Sequence, residues 1–500
     1  MSKENIERKR QFYLHNKSEY SFDDITFNDL NLDDIFLKFD RTSSSLGEEV
    51  LYSMLRSPLL RSEDVLERIK QIDNLADNWE LTLKQRQNLE SLSKLKKISL
   101  FEYLYKLNEL EDISFFSKFG ALILFAVAIC CFFINVPLGI ILTAVVYIIN
   151  SVRYFKLKGE IAPYLICFSY ISKAVKIASK SDIIDSNENA VCQNTFSGAF
   201  LCGTLAGVTT HGGSGNPLDT LIAFLKLAFH FDIIAFYSIL RKIKNNMDVL
   251  NKCLWKIGYK DALIALALVR KENSDNICIP KFVDESEIYI EDCFHPLLNR
   301  PVSNTVDVRK SVLLTGSNAS GKSTFLRSVA VNVAFAQAFG LCFAKTYRAP
   351  VFRMISSMSV SDSIIKNESL YVAEVKALKR ICDLIENSKE ERVLIFADEV
   401  LRGTNTVERI ASSTQILKYF GTKATCFAAT HDIELTDYLA KIYDNYHFNE
   451  DITDGEIHFN YKLKKGKADS HNAILLLKMM GFPSALIKDA EDMVTSFDNK

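Results

Sequence analysis

The stretch LLTGSNASGKSTFLRSV, Leu313 to Val329, constrains the fold more than any other part of this 500-residue chain. The residues SVLL have the composition of a strand, residues 316–323 match the pattern G-x-x-x-x-G-K-[ST], and the residues that follow are typical of a helix. Strand, loop and helix in this order are typical of a phosphate-binding loop, in which backbone N–H groups and a helix N-terminus face phosphate oxygens. The motif therefore predicts a site for a nucleoside triphosphate.

Each residue type in this loop has a chemical reason to be there. Lys322 can reach the terminal phosphates, and the hydroxyl of Ser323 can bind Mg²⁺. We therefore predict ATP and Mg²⁺ as ligands. The predicted phosphate contacts come from Gly316, Ser317, Asn318, Ala319, Ser320, Gly321, Lys322, Ser323 and Thr324. A chance glycine turn is the alternative, and the correct order of strand, loop and helix argues against it.

Two later strands add acids and a histidine. The run VLIFADEV ends in Asp398 and Glu399; Asp398 is placed to hold Mg²⁺, and Glu399 to orient or deprotonate the water that attacks the γ-phosphate. The run KATCFAATHD ends in His431, which would lie beside the γ-phosphate if its strand neighbours the Asp398 strand. A helix N-cap and a structural histidine are the alternative interpretations. The phosphate loop favours the catalytic roles.

A second feature departs from the pattern of a water-soluble chain. Residues 119–152, between Lys118 and Arg153, contain no charged residue, and Asn135 and Pro137 divide them into two apolar segments, 119–134 and 138–149. This predicts a transmembrane helical hairpin. Two buried helices within a large helical domain are the alternative, although a core helix rarely lacks a charged face over such a length.

Positive charge flanks the apolar run on both sides. Lys118 precedes it, and Arg153, Lys156 and Lys158 follow it. Basic residues remain on the cytoplasmic side of a membrane, so both ends of the hairpin are expected there. The eleven cysteines include no CxxC pair and the first residues are polar. Reduced thiols, with the rest of the chain in the cytoplasm, fit this pattern.

Charge composition leaves nucleic-acid binding open. Lys plus Arg (60) nearly balance Asp plus Glu (61), so no global field attracts a polyanion and any contact with DNA must come from local patches. The basic runs RKIKNN at 241–246 and KLKKGK at 462–467 are short. Each is by default a solvated face.

Several stretches together resemble the MutS family of DNA mismatch-repair ATPases. GSNASGKSTFLRSVAVNVAFAQAFGLCFA is similar to the family's phosphate-loop region, and DEVLRGTN to its acidic motif, except that Leu401 stands where the family usually has glycine. ESLYVAEVKAL, around Ser369, is similar to its version of the ABC-type serine loop. The resemblance implies a homodimer of ATPase domains in which Ser369 reaches the partner's ATP.

The resemblance extends along most of the chain, and less densely upstream. Residues 39–75 and 257–271 resemble the start and end of the family's helical core and lever. DCFHPLL, with His295, resembles the segment just before the nucleotide site, so His295 and Asn304 are candidates for the adenine side. The tail YKLKKGKADSHNAILLLKMMGFPSALIKDA resembles the family's dimerising helices.

The predicted fold is therefore multidomain. An α-helical core and lever domain carries an inserted transmembrane helical hairpin and is followed by an α/β P-loop (ABC-type) ATPase domain. Helical periodicity dominates from Asp33 to about Lys271, and strands alternate with helices after it. The expected divisions are an N-terminal extension, 1–30; the lever, 31–117 and 158–282; the hairpin, 118–157; and the ATPase domain with C-terminal dimerisation helices, 283–500.

Departures from the family bear on function. About 30 residues precede the lever match, too few for the family's mismatch-reading domain, and no Phe-x-Glu wedge occurs there. We favour a DNA-binding ATPase related to mismatch repair, in which ATP closes a dimer around duplex or branched DNA and hydrolysis reopens it. The alternative is a membrane-associated ATPase that acts on a membrane or protein partner without mismatch recognition.

Overall fold

The structure is a computed structural model. It describes residues 3–96, 98–110, 114–181, 183–195, 224–317, 320–358, 370–388, 391–453, 456–468, 474, 477, 478 and 480–498. The chain divides into two compact units. The helical unit comprises Met1–Asn16, Asp40–Ser53 and Ile72–Leu268, and the sheet unit comprises Lys17–Phe39, Met54–Gln71 and Val269–Lys500. These units cut across the predicted divisions, because residues 17–39 and 54–71 group with the sheet.

The first half of the chain is helical. Its helices are α1 (Lys3–His15), α2 (Asp24–Asp29), α3 (Leu32–Phe39), α4 (Ser45–Arg56), α5 (Ser62–Asp77), α6 (Trp79–Glu90), α7 (Leu100–Glu109), α8 (Phe115–Phe132), α9 (Val136–Lys180), α10 (Ser186–Thr195), α11 (Phe231–Asn245) and α12 (Met247–Glu272).

A buried carboxylate explains the serine run that precedes α4. Asp261, on α12, accepts hydrogen bonds from the backbone N–H of Ser43 and Ser44 and from the Ser44 hydroxyl, at 2.6–3.2 Å. These groups lie at the N-terminus of α4, where backbone N–H groups lack helical partners. A Cβ on Gly258 would lie 2.7 Å from the Leu46 carbonyl oxygen, so only glycine lets the two helices approach this closely.

A second buried carboxyl group, that of Glu49 in α4, makes the free energy of unfolding depend on pH. Glu49 is fully buried and accepts hydrogen bonds from Ser99 Oγ at 2.7 Å and from the Leu100 N–H at 3.2 Å. Burial raises the pKa of Glu49 from its ordinary value of 4.5 to about 8. The folded protein therefore holds a proton on Glu49 at neutral pH, which the unfolded chain releases.

We expect Glu49→Gln to flatten the pH dependence of unfolding. Between pH 4.5 and 8 the folded state binds more protons than the unfolded state, so this group's contribution to the free energy of unfolding falls as pH rises, by at most about 1.4 kcal/mol per pH unit. Above pH 8 the contribution no longer changes. Urea unfolding at several pH values measures the slope. The pKa of Asp261 is raised to about 6 by burial, so the comparison is made between pH 6 and 8. Equal slopes in parent and variant there would contradict a protonated Glu49.

The predicted break in the apolar run lies where the sequence places it. Helix α8 ends at Phe132, and α9 begins at Val136 with Asn135 as N-cap, whose side chain accepts a hydrogen bond from the Leu138 N–H at 3.2 Å. Pro137 is in the first turn of α9, where its missing N–H costs nothing. Helix α9, however, continues to Lys180, far beyond residue 157, where the predicted hairpin ends.

The two helices are not equally suited to crossing a membrane. Among the described residues, α9 is the one helix long and apolar enough to span a bilayer, and the apolar part of α8, Lys118–Phe132, is shorter. A hairpin with two crossings is therefore not confirmed. Only 17% of the most apolar part of α9 is buried, which argues against the alternative of two core helices.

The sheet unit contains two sheets. Strands β1 (Lys281–Phe282), β2 (Ile288–Cys293), β3 (Asn304–Val308) and β5 (Thr346–Ala349) form the smaller one, in the order β1-β5-β2-β3. The larger one contains β4 (Ser311–Thr315), β6 (Arg353–Ser357), β7 (Val393–Asp398), β8 (Thr425–Ala429), β9 (Tyr443–Thr453) and β10 (Glu456–Lys465), in the order β10-β9-β4-β8-β7-β6. All its neighbours are parallel except β9 and β10. This confirms the predicted α/β part.

Helices connect the parallel strands. They are α13 (Lys322–Phe339), α14 (Leu370–Asn387), α15 (Thr406–Lys423) and α16 (Leu435–Tyr438), and α17 (Ser484–Asp498) follows the last strand, β10. Strand β4 and almost all of α13 are buried. The strand and the helix that flank the phosphate loop therefore lie in the interior of the sheet unit.

Candidate nucleotide site

Three adjacent parallel strands bring the predicted site residues to one edge of the larger sheet. Strand β8 lies between β4 and β7, and its Ala429 pairs with both Leu314 and Asp398. The phosphate loop after β4, the acids at the end of β7 and His431 after β8 therefore meet, as the carboxyl ends of parallel strands do. The condition set for His431, that its strand neighbours the Asp398 strand, is confirmed.

The phosphate loop depends on glycine at both ends. Gly316 has φ 141° and Gly321 has φ 106°, a region that residues with a Cβ rarely adopt. Lys322 Nζ donates to the carbonyl oxygens of Gly316 and Ser317 at 2.7 and 2.8 Å, so the lysine reaches back over the loop. Asn318 and Ala319 lie outside the described residues.

A hydroxyl and a carboxylate next to the loop fit Mg²⁺. Ser323 Oγ donates to Asp398 Oδ2, while Asp398 Oδ1 is buried and has no hydrogen-bond partner among the described residues. Burial raises the pKa of Asp398, the expected result when a carboxylate lacks a compensating cation. The described part of the chain contains no cluster of three or more His, Cys, Asp or Glu side chains for a metal. Phosphate and water oxygens must complete such a site, as is usual for Mg²⁺.

Glu399 is held in a strained but defined position. Its φ is 53°, an unusual value for a residue with a Cβ, and its Oε1 lies 2.7 Å from His431 Nε2. Arg402 Nη1 lies 3.2 Å from its other oxygen. The hydrogen bond with His431 lowers the pKa of Glu399, so its carboxylate is ionised at neutral pH. Lys322 Nζ lies 3.4 Å from the same His431 nitrogen.

The departure from the family at Leu401 has a structural consequence. Leu401 has φ 61°, a backbone conformation for which glycine is the ordinary residue. Its side chain is 4% exposed and belongs to the apolar core under β7 and α15. Burial of a leucine contributes about 1.5–3 kcal/mol, which offsets a left-handed backbone cost of about 1–2 kcal/mol.

Two ion pairs near the site were not predicted from the sequence. Glu374 is 4% exposed; it accepts a hydrogen bond from the Gly403 N–H at 3.3 Å and lies 3.7 Å from Arg402 Nε. Arg409 donates two hydrogen bonds, at 3.0 and 2.7 Å, to Asp432, the residue that follows His431 in the sequence. In the sequence, the i, i+3 spacing of Glu399 and Arg402 indicates an ion pair that involves Arg402. No sequence signal joins Arg409 to Asp432.

Next to the loop, a cavity of 440 Å³ is lined by Lys322, Ser323, Thr324, Glu399, His295 and Tyr461, among others. His295 Nδ1 accepts a hydrogen bond from the Leu297 N–H at 3.3 Å, so the ring proton of a neutral His295 belongs on Nε2. That nitrogen is buried without a partner among the described residues. Burial lowers the pKa of His295 to about 4, so the ring is neutral and Nε2–H can donate.

Asn304 lines the cavity, but its amide is already engaged. Its Nδ2 donates to the Tyr461 carbonyl oxygen at 2.9 Å, and its Oδ1 accepts from the Leu463 N–H at 2.7 Å. These bonds hold the bulge in β10 that carries Tyr461, whose ring would lie 3.1 Å from a Cβ on Gly321. The geometry gives Asn304 a positioning role for Tyr461, and the contact of Asn304 with adenine stays a prediction. Sequence reasoning missed Tyr461. Ser369 lies outside the described residues.

These features together define a P-loop nucleotide-binding domain. The MutS domain V family model matches residues 312–498. Proteins named DNA mismatch repair protein MutS align with about half of the chain: that of Natronomonas pharaonis is 30% identical over 288 residues, 55% of this chain and 33% of its own length. The protein of that name from Streptococcus suis is 28% identical over 279 residues, 53% and 32%. The one from Streptococcus pyogenes serotype M49 is 30% identical over 291 residues, 55% and 33%.

By this match, residues 312–498 of the chain form a MutS domain V. The chain spans about a third of the length of these curated relatives.

Proposed function

We propose that the chain is a Mg²⁺-dependent ATPase that converts ATP and water to ADP and phosphate. The observation that carries this proposal is the 2.7 Å contact between Glu399 and His431, beside Lys322 and the Ser323–Asp398 pair. Asp398 and Ser323 would hold Mg²⁺, which neutralises phosphate charge when bound. The ionised Glu399 accepts a proton from the attacking water. His431 and Arg402 fix the orientation of the Glu399 carboxylate.

The cavity supports recognition of the adenine base. The Nε2–H of His295 can donate to a ring nitrogen of adenine, which would satisfy a buried donor that otherwise lacks a partner. The ring of Tyr461, positioned by Asn304 and 43% exposed, offers a face for stacking. Both residues act on the base, and the loop residues 316–324 act on the phosphates.

The proposed working state is a homodimer through the ATPase domain. The family resemblance assigns Ser369 to the partner's ATP, and the tail to dimerising helices. ATP binding closes the dimer and hydrolysis reopens it.

DNA is the proposed partner of this cycle. The relatives that match half of the chain are named DNA mismatch repair proteins, and the MutS domain V match, residues 312–498, contains the predicted phosphate loop. We infer an action on duplex or branched DNA, related to mismatch repair. Net charge does not oppose this proposal, since basic and acidic residues balance.

We expect ATP turnover to rise with one class of DNA and to lose that stimulation as salt increases, because contacts with phosphates release counterions. The experiment measures phosphate release by detergent-purified protein with homoduplex, mismatched or branched DNA, each at two salt concentrations. The Glu399→Gln protein, prepared in parallel, reports contaminating ATPases. Turnover that is the same with every DNA and without DNA would overturn the DNA proposal and leave the ATPase proposal standing.

A second candidate function acts at a membrane. The observation that favours it is the apolar α9, of which only 17% is buried over its most apolar part. We propose that α8 and the first part of α9, residues 119–152, insert into a membrane from its cytoplasmic side. The ATPase would then act on a membrane or protein partner.

A further inference from the structure

The turn and outer faces of the α8–α9 hairpin expose apolar side chains. At the turn, Phe133 and Ile134 are 89% and 83% exposed. Further exposed side chains along the first part of α9 are Leu138, Ile140, Ile141, Ile148, Ile149 and Val152. No charged residue interrupts this surface from 119 to 152. An apolar patch of this kind marks a site that another apolar phase covers.

A layer of polar contacts marks the inner end of this surface. Asn150 Nδ2 donates to the carbonyl oxygens of Ala121 and Ala228 at 3.2 and 2.9 Å, and the Asn150 carbonyl oxygen lies 2.8 Å from His230 Nε2. These bonds tie α8, α9 and the segment before α11 together. Asn150 lies about 21 Å along α9 from Val136, at about 1.5 Å per residue. The apolar surface therefore has a defined depth, somewhat less than the ~30 Å hydrocarbon core of a bilayer.

Basic residues lie close in sequence to this polar layer, at both ends of the apolar run. Lys118, Arg153 and Lys156, here called the cationic collar, flank the apolar run. The Arg153 guanidinium would lie 3.5 Å from a Cβ on Gly120 of α8, so the collar spans both helices. The acidic residues nearest in sequence are Asp112 and Glu160, and both lie on the side of the collar away from the apolar run. Asp232, which is nearby, is fully buried and accepts a hydrogen bond from the Tyr154 hydroxyl at 2.7 Å, so it does not neutralise the collar's outer face.

We propose that the hairpin inserts into a bilayer rich in anionic phospholipid, with the cationic collar on the headgroup phosphates. This inference rests on the membrane insertion proposed above and adds the chemistry of the lipid. A zwitterionic bilayer covers the apolar surface equally well but leaves the collar without matching charge. A second copy packed in parallel against the first would set two collars of like charge against each other. An anionic bilayer covers the apolar surface with hydrocarbon and places phosphate charge opposite the collar.

The test is a competition between two vesicle populations that differ in charge. Detergent is removed from the purified full chain in an equal mixture of phosphatidylcholine vesicles and vesicles with about one-third phosphatidylglycerol, which are then separated by density. We expect the protein to favour the anionic vesicles and the preference to fall at high salt. Arg153→Gln/Lys156→Gln should reduce the preference by about 25-fold, at about fivefold for each basic residue near the surface.

The matched control is Lys84→Gln/Lys180→Gln, which removes two exposed lysines that lie outside the collar. It should leave the preference unchanged. If the parent divides equally between the two vesicle populations, the proposed role of the collar is wrong. It is also wrong if both double variants lose the preference for anionic vesicles equally. ATP turnover of each variant in detergent checks that it is folded.

A third variant separates this inference from the insertion on which it rests. Phe133→Asp/Ile134→Asp places charge at the turn and should abolish association with both kinds of vesicle, because a charge at the bilayer centre costs several kcal/mol. If this variant still associates fully with vesicles, the insertion itself is wrong. If the detergent-free parent remains a soluble oligomer that these two substitutions convert to monomer, the apolar surface is an interface between copies and the lipid proposal is overturned.

Discussion

Glu399→Gln should bind ATP with unchanged affinity and hydrolyse it about 10²–10⁴-fold more slowly, the contribution typical of a positioned general base. Glutamine has nearly the same shape as glutamate but cannot accept the proton of the attacking water. The structure gives the carboxylate two fixed partners, His431 at 2.7 Å and Arg402 at 3.2 Å. Single-turnover hydrolysis together with equilibrium ATP binding separates the chemical step from affinity.

The same variant tests the proposed dimer. Because ATP remains bound, the closed dimer should accumulate, and small-angle scattering should show a more compact dimer with ATP and Mg²⁺ than without them. Glu386→Gln is the matched control, since Glu386 is an exposed residue on α14 and should behave like the parent. Turnover by Glu399→Gln at the parent rate would show that another group accepts the proton.

Much of the sheet-edge site could be predicted because its signals are local. A phosphate loop requires glycine at two strained positions, and Gly316 and Gly321 adopt positive φ as the motif demands. Adjacent acids at the end of a buried strand also form a local pattern. The predicted placement of His431 also required that β7 and β8 be neighbouring strands, which the sheet order confirms.

The parts that were missed depend on contacts between distant positions. Tyr461 enters the nucleotide cavity because a bulge in β10 bonds to Asn304, 157 residues away in sequence. Asn304 could be placed at the cavity from the resemblance, but the engagement of its amide is visible only in three dimensions. Arg409 and Asp432 lie 23 residues apart and pair because α15 packs beside β8. No local pattern encodes such pairs.

The helical part shows a different limit of sequence reasoning. Asn135 and Pro137 located the helix break, since an N-cap and a first-turn proline are local signals. Hydropathy could not show that α9 continues to Lys180, because its second half is amphipathic rather than apolar. Nor could it show that Asp261 caps α4, a contact over 217 residues.

Lys322→Ala should weaken ATP binding at least about 100-fold and abolish measurable turnover at ordinary ATP concentrations. Hydrogen bonds to charged groups contribute about 1.5–3 kcal/mol each, and the ammonium of Lys322 is the group in the loop that can reach the terminal phosphates. In the structure this ammonium donates to the Gly316 and Ser317 carbonyl oxygens, so its removal also loosens the loop.

Two variants distinguish the loss of charge from the loss of the loop. Lys322→Arg keeps the charge but alters the reach, and it should recover part of the affinity without recovering the parent rate. Lys423→Ala, which removes an exposed lysine near the end of α15, should bind and hydrolyse ATP like the parent. A fluorescent-ATP titration measures all three. If Lys322→Ala retains parent affinity, the cavity beside the loop is not where the triphosphate binds, and the roles proposed for Ser323, Asp398 and Glu399 are overturned with it.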